Sequence, residues 1–213
     1  VVWRRGKVPP LPDDSGRMAE WLGGCDVLYV DGHEVGAATA GLQIARQREI
    51  ATIADPGSLR AGAESWPRWL DSVVATPRWL AARYPEASSL SQAVELLSRD
   101  AGGKALCGVT LGEGGGMAFR DGVRYPWQAR KTGAVDTTAA GDAFHAGLAD
   151  GLVQGMETQA TLDWAATLAA AVCRAPGNVS LPRDRDQLSL WHGRWGHRPE
   201  MNGELLDRHP AEV

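Results

Sequence analysis

The chain has 213 residues, with 22 Lys and Arg against 26 Asp and Glu, a formal net charge of −4. That balance lacks the basic excess of a duplex-binding protein, while 44% hydrophobic and 23% charged residues exclude a disordered chain and suffice for a core without staples. Cys25, Cys107 and Cys173 are widely spaced and form no CxxC pair or Cys/His cluster, which argues against zinc or a disulfide framework and for small buried hydrophobes.

Residues 1–5 make a short β-like run before the Pro-rich connector at 8–12. Asp13 or Asp14 can cap a helix carrying Met18, Trp21 and Leu22, ended by Gly23-Gly24. The near-continuous apolar run at 25–31 suits a parallel strand buried on both faces. A helix over 34–48, a strand over 50–54, a weaker helix reaching Trp69-Leu70, a strand over 72–75, a helix over 89–99 and a strand over 105–111 follow. This alternation predicts an α/β sheet with helices on both faces of mainly parallel strands. The rhythm then changes to a hairpin, 117–120 and 123–127, with Asp121-Gly122 in the tight turn. Two Ala-rich helices, 139–153 and 158–174, come next, and their small residues favour close approach to neighbours. The stretch 191–213 has no period and is expected to be a loose extension of a domain spanning 1–190. There is no apolar stretch long enough for a bilayer and no signal-peptide pattern before the first strand. The expected location is the cytoplasm, with neither nucleic acid nor membrane as partner.

Two segments can carry chemistry. In Val135-Asp136-Thr137-Thr138-Ala139-Ala140-Gly141-Asp142, three small residues open a helix. Helix-start N–H groups have no internal acceptor and the helix dipole makes that end positive, so small residues there form an anion cradle. Asp142 follows directly, where the dipole favours its charged form. A base beside an anion hole suits phosphoryl transfer to a hydroxyl, although Asp136 and Asp142 are equally readable as ordinary helix-start acids. In Thr110-Leu111-Gly112-Glu113-Gly114-Gly115-Gly116, a buried strand enters a Gly-rich loop on which a nucleotide can lie. It is neither a Walker A nor a dinucleotide fingerprint, and on its own it is also a plausible hairpin entry.

Asp31-Gly32-His33-Glu34 sits at a strand's C-terminal end, where open α/β sheets bind ligands; Asp31 and His33 are substrate candidates, with turn and cap chemistry as the competing reading. Asp55 has the same location within an Asp-Pro-Gly turn, and His145 reads as a surface or packing residue rather than a catalytic one. His192, His197 and His209 show no ligand spacing.

Asp136-Thr137-Thr138-Ala139-Ala140-Gly141-Asp142 resembles the C-terminal D-T-x-G-A-G-D signature of the PfkB/ribokinase family of ATP-dependent sugar kinases, with Ala139 in place of the usual first Gly. Thr110 to Gly115 is similar to that family's nucleotide loop, and the stretch ending Ser180-Leu181-Pro182 to its closing segment. The resemblance implies a ribokinase-like fold with a small hairpin before the anion-hole helix. It implies ATP-dependent phosphorylation of a sugar or sugar-like hydroxyl, with ATP and Mg²⁺ as cofactors. Asp142 would be the catalytic base. Ala139, Ala140 and Gly141 would form the anion hole. Thr110, Gly112, Glu113, Gly114 and Gly115 would hold the nucleotide. Asp136, Thr138 and Ser180 match positions that hold a monovalent cation, K⁺, in some members. It also implies pairing into a homodimer through a lid, of which residues 1–8 match only the last part; the family's first strands and Gly-Gly sugar segment have no counterpart here. Arg78 and Ala81 stand where many members carry an Asn and a Glu that place Mg²⁺. A non-catalytic nucleotide- or sugar-binding remnant, and a nucleoside kinase of the same fold, remain as alternatives.

Overall fold

The computed structural model describes residues 9–195 and 203–213. Four strands run parallel: β1 (Val27–Val30), β2 (Ala51–Ala54), β3 (Ser72–Ala75) and β4 (Leu106–Thr110). β5 (Gly116–Arg120) and β6 (Val123–Trp127) continue the sheet as an antiparallel hairpin, in spatial order β1-β2-β3-β4-β5-β6. Asp121 and Gly122 both have positive φ, 51° and 75°, as a two-residue turn between twisted strands demands.

A right-handed crossover that always steps the same way across a sheet puts every connection on one face. Helices α2 (Val35–Gln47), α3 (Pro77–Arg83) and α4 (Leu90–Asp100) accordingly share one core with the 3₁₀ turn Trp66–Trp69. Leu42, Trp66, Leu80, Leu90 and Leu97 pack there with Val73, Ala75, Cys107 and Val109. The opposite face is left for the segments that follow the sheet. On it α5 (Ala140–Val153) and α6 (Thr158–Val172) bring Phe144, Leu148 and Leu162 against Ile53, Val74, Leu106 and Ala118. Val73 and Val74 thus feed opposite cores, the strand alternation at work within a fully buried run. The expected mainly parallel sheet with helices on both faces is what forms. A first helix, α1 (Ser15–Trp21), capped by Asp14, lays Met18 against α2 through Ala37, Ile44 and Ala45, and Leu22 just beyond it joins the same cluster.

Several expectations need correction. The stretch 191–213 is not loose where it is described. Helix α7 (Arg185–Arg194) buries Leu188, and Arg174 lies over the Trp191 and Trp195 rings at 5.3 and 5.4 Å. Helix α8 (Glu204–Asp207) adds Leu206 to the first core, and the Arg208 carbonyl accepts the Leu90 N–H at 2.9 Å. Each element is anchored by one or two side chains, too few to create a period in the sequence. Helix α3 was not among the expected elements, although Thr76 caps it and Pro77 opens it. Cys107 and Cys173 are buried as expected, but Cys25 is exposed in the turn ahead of β1. The expected run at 1–5, the lid match at 1–8 and His197 lie outside the described residues.

The small residues of α5 and α6 do set their spacing. A Cβ at Gly147 would stand 2.6 Å from the Ala165 Cα, and one at Gly151 2.6 Å from the Thr161 Cγ2. The Gly147→Val variant should force the two helices apart and lose roughly 1–3 kcal/mol of unfolding free energy, read from urea denaturation midpoints.

Candidate active site

The loops after β1, β2, β3 and β4 all emerge on one edge of the sheet, because parallel strands share a C-terminal end. Helix α5 points its N-terminus at that edge. Its first turn is unusual. Ala139 is the cap residue and sits in the left-handed region, φ 60° and ψ 16°, with no side-chain cap bond. A β-carbon costs energy in that conformation, which is why the resembling signature has a glycine here. Left-handed Ala139 followed by helical Ala140 is the backbone pattern of a nest, in which neighbouring N–H groups can converge on an anion. The Ala140 N–H donates to the Thr137 carbonyl at 3.1 Å. The N–H groups of Ala139, Gly141 and Asp142 have no hydrogen-bond partner among the described residues. Of the three residues expected to form an anion hole, Ala139 and Gly141 thus keep open N–H groups, as does Asp142, while that of Ala140 is taken up by Thr137. The Asp142 side chain is exposed rather than turned into the core.

On one side of this turn lies a cavity of about 370 Å³. Thr110, Gly112, Glu113 and Gly115 of the Gly-rich loop form one wall, and Ala140, Gly141 and Phe144 of α5 another. Trp127 closes it from β6, and Ala166, Ala169, Ala170 and Cys173 from α6. The alanines keep that wall flat and apolar. Gly112 and Gly115 have φ of 56° and 81°, and a Cβ on Gly115 would overlap the Trp127 carbonyl. The loop's glycines therefore serve the chain's own close packing as well as the cavity. Gly114 lies on the far side, where a Cβ would meet the Leu205 side chain at 3.2 Å. Arg130, also in the wall, is buried and bonds Thr167 Oγ1 and the Asp163 carbonyl, both at 3.1 Å. Burial pulls its pKa down, opposed by Asp163. Burial likewise pushes the Cys173 thiol up, with Asp136 adding to it.

On the other side stand carboxylates. Burial raises the Tyr29 phenol first, and Asp55, Asp142 and Asp31 raise it further, in that order. Three strand-end or helix-start acids thus act on one phenol. Asp31 also accepts the His33 N–H at 2.9 Å, and the His33 ring lies 3.4 Å from Arg60. Asp31 and Asp142 thus both act on the Tyr29 phenol. Tyr29 and Trp127 were not singled out from sequence, since each is an ordinary aromatic in an apolar run.

Asp136 braces the entry to α5. Its carboxylate accepts N–H groups from Thr138 at 2.9 Å and Gly177 at 3.2 Å. Those bonds, Thr138 first and Gly177 after it, hold its pKa below the usual carboxylate range. Ser180 is tied instead to the Ala171 and Val172 carbonyls, at 2.7 and 3.1 Å. Asp136, Thr138 and Ser180 are thus all hydrogen-bonded within the turns that flank α5 and α6. Among the described residues there is also no group of three His, Cys, Asp or Glu able to hold a metal. What is present fits Mg²⁺ as an ion carried on nucleotide phosphates, the usual manner for that cation. Arg78 is exposed in the first turn of α3.

The lowered pKa of Asp136 has a definite sign. Its bonds stabilise the fold above the ordinary aspartate value, and that contribution is lost as pH falls through the lowered value. Asp136→Asn should therefore lower the urea midpoint at neutral pH and lose its effect in strong acid; an equal deficit at both pH values would contradict the brace.

Residues 86–184 match the family model for pfkB family carbohydrate kinases. The chain is similar in fold to the ribokinase of Thermotoga maritima, at 22% identity and TM-score 0.70, over 85% of this chain and 60% of that one. It is similar to Arabidopsis thaliana ribokinase complexed with ribose and ATP, at 22% identity and TM-score 0.72, over 82% and 58%. A candidate ribokinase II from E. coli in complex with ATP and Mg²⁺ aligns at 16% identity and TM-score 0.72, over 83% and 61%. The chain thus spans about 60% of the length of the solved kinases it matches.

Proposed function

We propose, from a pfkB-type segment set within a ribokinase fold, that this chain carries ATP-dependent phosphoryl transfer to a hydroxyl of a sugar or sugar-like small molecule. The observation that carries this reading is the position of Asp142. Its exposed carboxylate and free N–H group stand between an apolar cavity and a group of acidic strand ends. The cavity falls within the roughly 300–1,000 Å³ of small-molecule sites, and its flat walls suit a purine base. Thr110, Gly112, Glu113 and Gly115 would follow the ribose, and the phosphates would run toward the first turn of α5. Mg²⁺ would arrive on those phosphates and neutralise part of their charge.

Asp142 would accept the proton of the acceptor hydroxyl from the carboxylate side, where Asp31 and Asp55 can receive further hydroxyls. The N–H groups of Ala139, Gly141 and Asp142 would collect the charge that develops on the transferring phosphoryl oxygens. Attack and departure are then roughly in line through the nest, with little for the protein to do beyond positioning and charge stabilisation. The similarity of fold to a ribokinase that holds ribose and ATP supports the class of acceptor. Arg78 and Ala81, at positions where an Asn and a Glu were expected, favour a second reading, a nucleotide-binding protein without turnover.

Incubation with ATP, Mg²⁺ and a panel of sugars and nucleosides separates the two. Transfer to an acceptor, falling by about 10²–10⁴-fold in Asp142→Asn with nucleotide affinity retained, is the expected result. Tight nucleotide binding with no transfer to any acceptor would support the second reading.

A further inference from the structure

Behind the anion hole lies a buried group that this mechanism leaves unused. His145 is one turn into α5, and its side chain is only 3% exposed. Nδ1 is 2.9 Å from the carbonyl oxygen of Gly141, and Nε2 is 2.9 Å from that of Val74 on β3. Carbonyl oxygens accept and cannot donate. A neutral imidazole has a single N–H, so it would press one nitrogen lone pair against an oxygen lone pair in a dry site. The ring that satisfies both contacts carries both protons and a positive charge. A counter-charge is at hand, since Asp55 Oδ2 is 3.4 Å from Nδ1.

The charged surroundings agree with this. Asp55 comes from the loop after β2, Asp31 from the loop after β1 and Asp142 from α5 itself. All three act on Tyr29, whose ring centroid is 6.1 Å from that of His145. Phe144 covers the imidazole edge-on at 5.8 Å, and β3 offers it the Val74 carbonyl.

The consequence follows from the planarity of the peptide bond. The Gly141 carbonyl and the Asp142 N–H belong to one plane and point in opposite directions. A cation bonded to the carbonyl end fixes that plane and draws electron density away from the N–H, making it a stronger donor. That N–H is one of the free donors of the nest.

We propose that His145 is a positioning residue for the anion hole, a buried imidazolium held by Asp55 and the Val74 carbonyl that orients and polarises the Gly141–Asp142 peptide. Its effect on turnover rests on the kinase reading above; its effect on the peptide does not. The test is NMR of ¹⁵N-labelled protein at neutral pH, with His145→Gln and, as a variant that keeps the ring in place, Asp55→Asn. Two ring N–H protons on His145 are expected in the wild type, with the Gly141 and Asp142 amide signals displaced in both variants. Turnover should fall roughly a hundredfold in His145→Gln while KM for ATP stays near its wild-type value, as loss of orientation rather than of binding requires. A single ring proton in the wild type overturns the proposal, as do unmoved amide signals in both variants. A wild type that transfers phosphate to no acceptor contradicts the kinase reading alone, because the ring and amide signals still decide the role of His145.

Discussion

The structure turns on a helix end that the chain leaves open. Asp14, Thr76, Ser89 and Asp184 close the ends of α1, α3, α4 and α7 with side-chain caps, while α2, α6 and α8, like α5, have no side-chain cap bond. Such a cap contributes about 1 kcal/mol. At α5 the cap residue is an alanine, held in a left-handed conformation that costs a β-carbon residue roughly 1–2 kcal/mol. Both the missing bond and the strain are unfavourable in the free protein, and N–H groups of the first turn are left without an acceptor among the described residues. Strain of this kind persists only where surrounding contacts over-determine it. Here Asp136 holds the approach to the turn, and the Ala140 N–H bond to Thr137 closes it.

Sheet topology then decides what that open end faces. Because the parallel strands succeed each other without reversal, all four of their outgoing loops lie on one edge. The hairpin of β5 and β6 and the flat alanine wall of α6 enclose a cavity on one flank of the turn. The ends of β1 and β2 supply acids on the other flank. Asp142, exposed in the first turn of α5, follows Gly141 in the cavity wall and acts on Tyr29 together with the strand-end acids. The close approach of α5 to α6, set by Gly147 and Gly151, fixes the helix whose first turn carries the open N–H groups.

Much of this was legible in the sequence, because it rests on local signals. β2, β3 and β4 announced themselves as apolar runs, the hairpin by Asp121-Gly122, and the open helix start by three small residues ahead of an acid; β1, expected to be buried on both faces, is instead the sheet edge, with Tyr29 40% exposed. Which N–H groups stay free was not legible, since that depends on the Thr137 carbonyl folding back onto Ala140. The same holds for His145. In sequence it reads as a surface or packing histidine; only the pairing of β3 with the rest of the sheet brings the Val74 carbonyl to its ring. Nor did residues 203–213 show their docking, because single anchors such as Leu206 leave no periodic trace. Long-range contacts are what a one-dimensional reading lacks, and the site's electrostatics are built almost wholly from them.

The most direct measurement of the central claim is a crystal structure of the chain with a non-hydrolysable ATP analogue and Mg²⁺. The account predicts the base between the Gly-rich loop and Phe144, with terminal phosphate oxygens within hydrogen-bonding distance of the Gly141 and Asp142 N–H groups. A nucleotide seated elsewhere, or phosphates directed away from the first turn of α5, would contradict it.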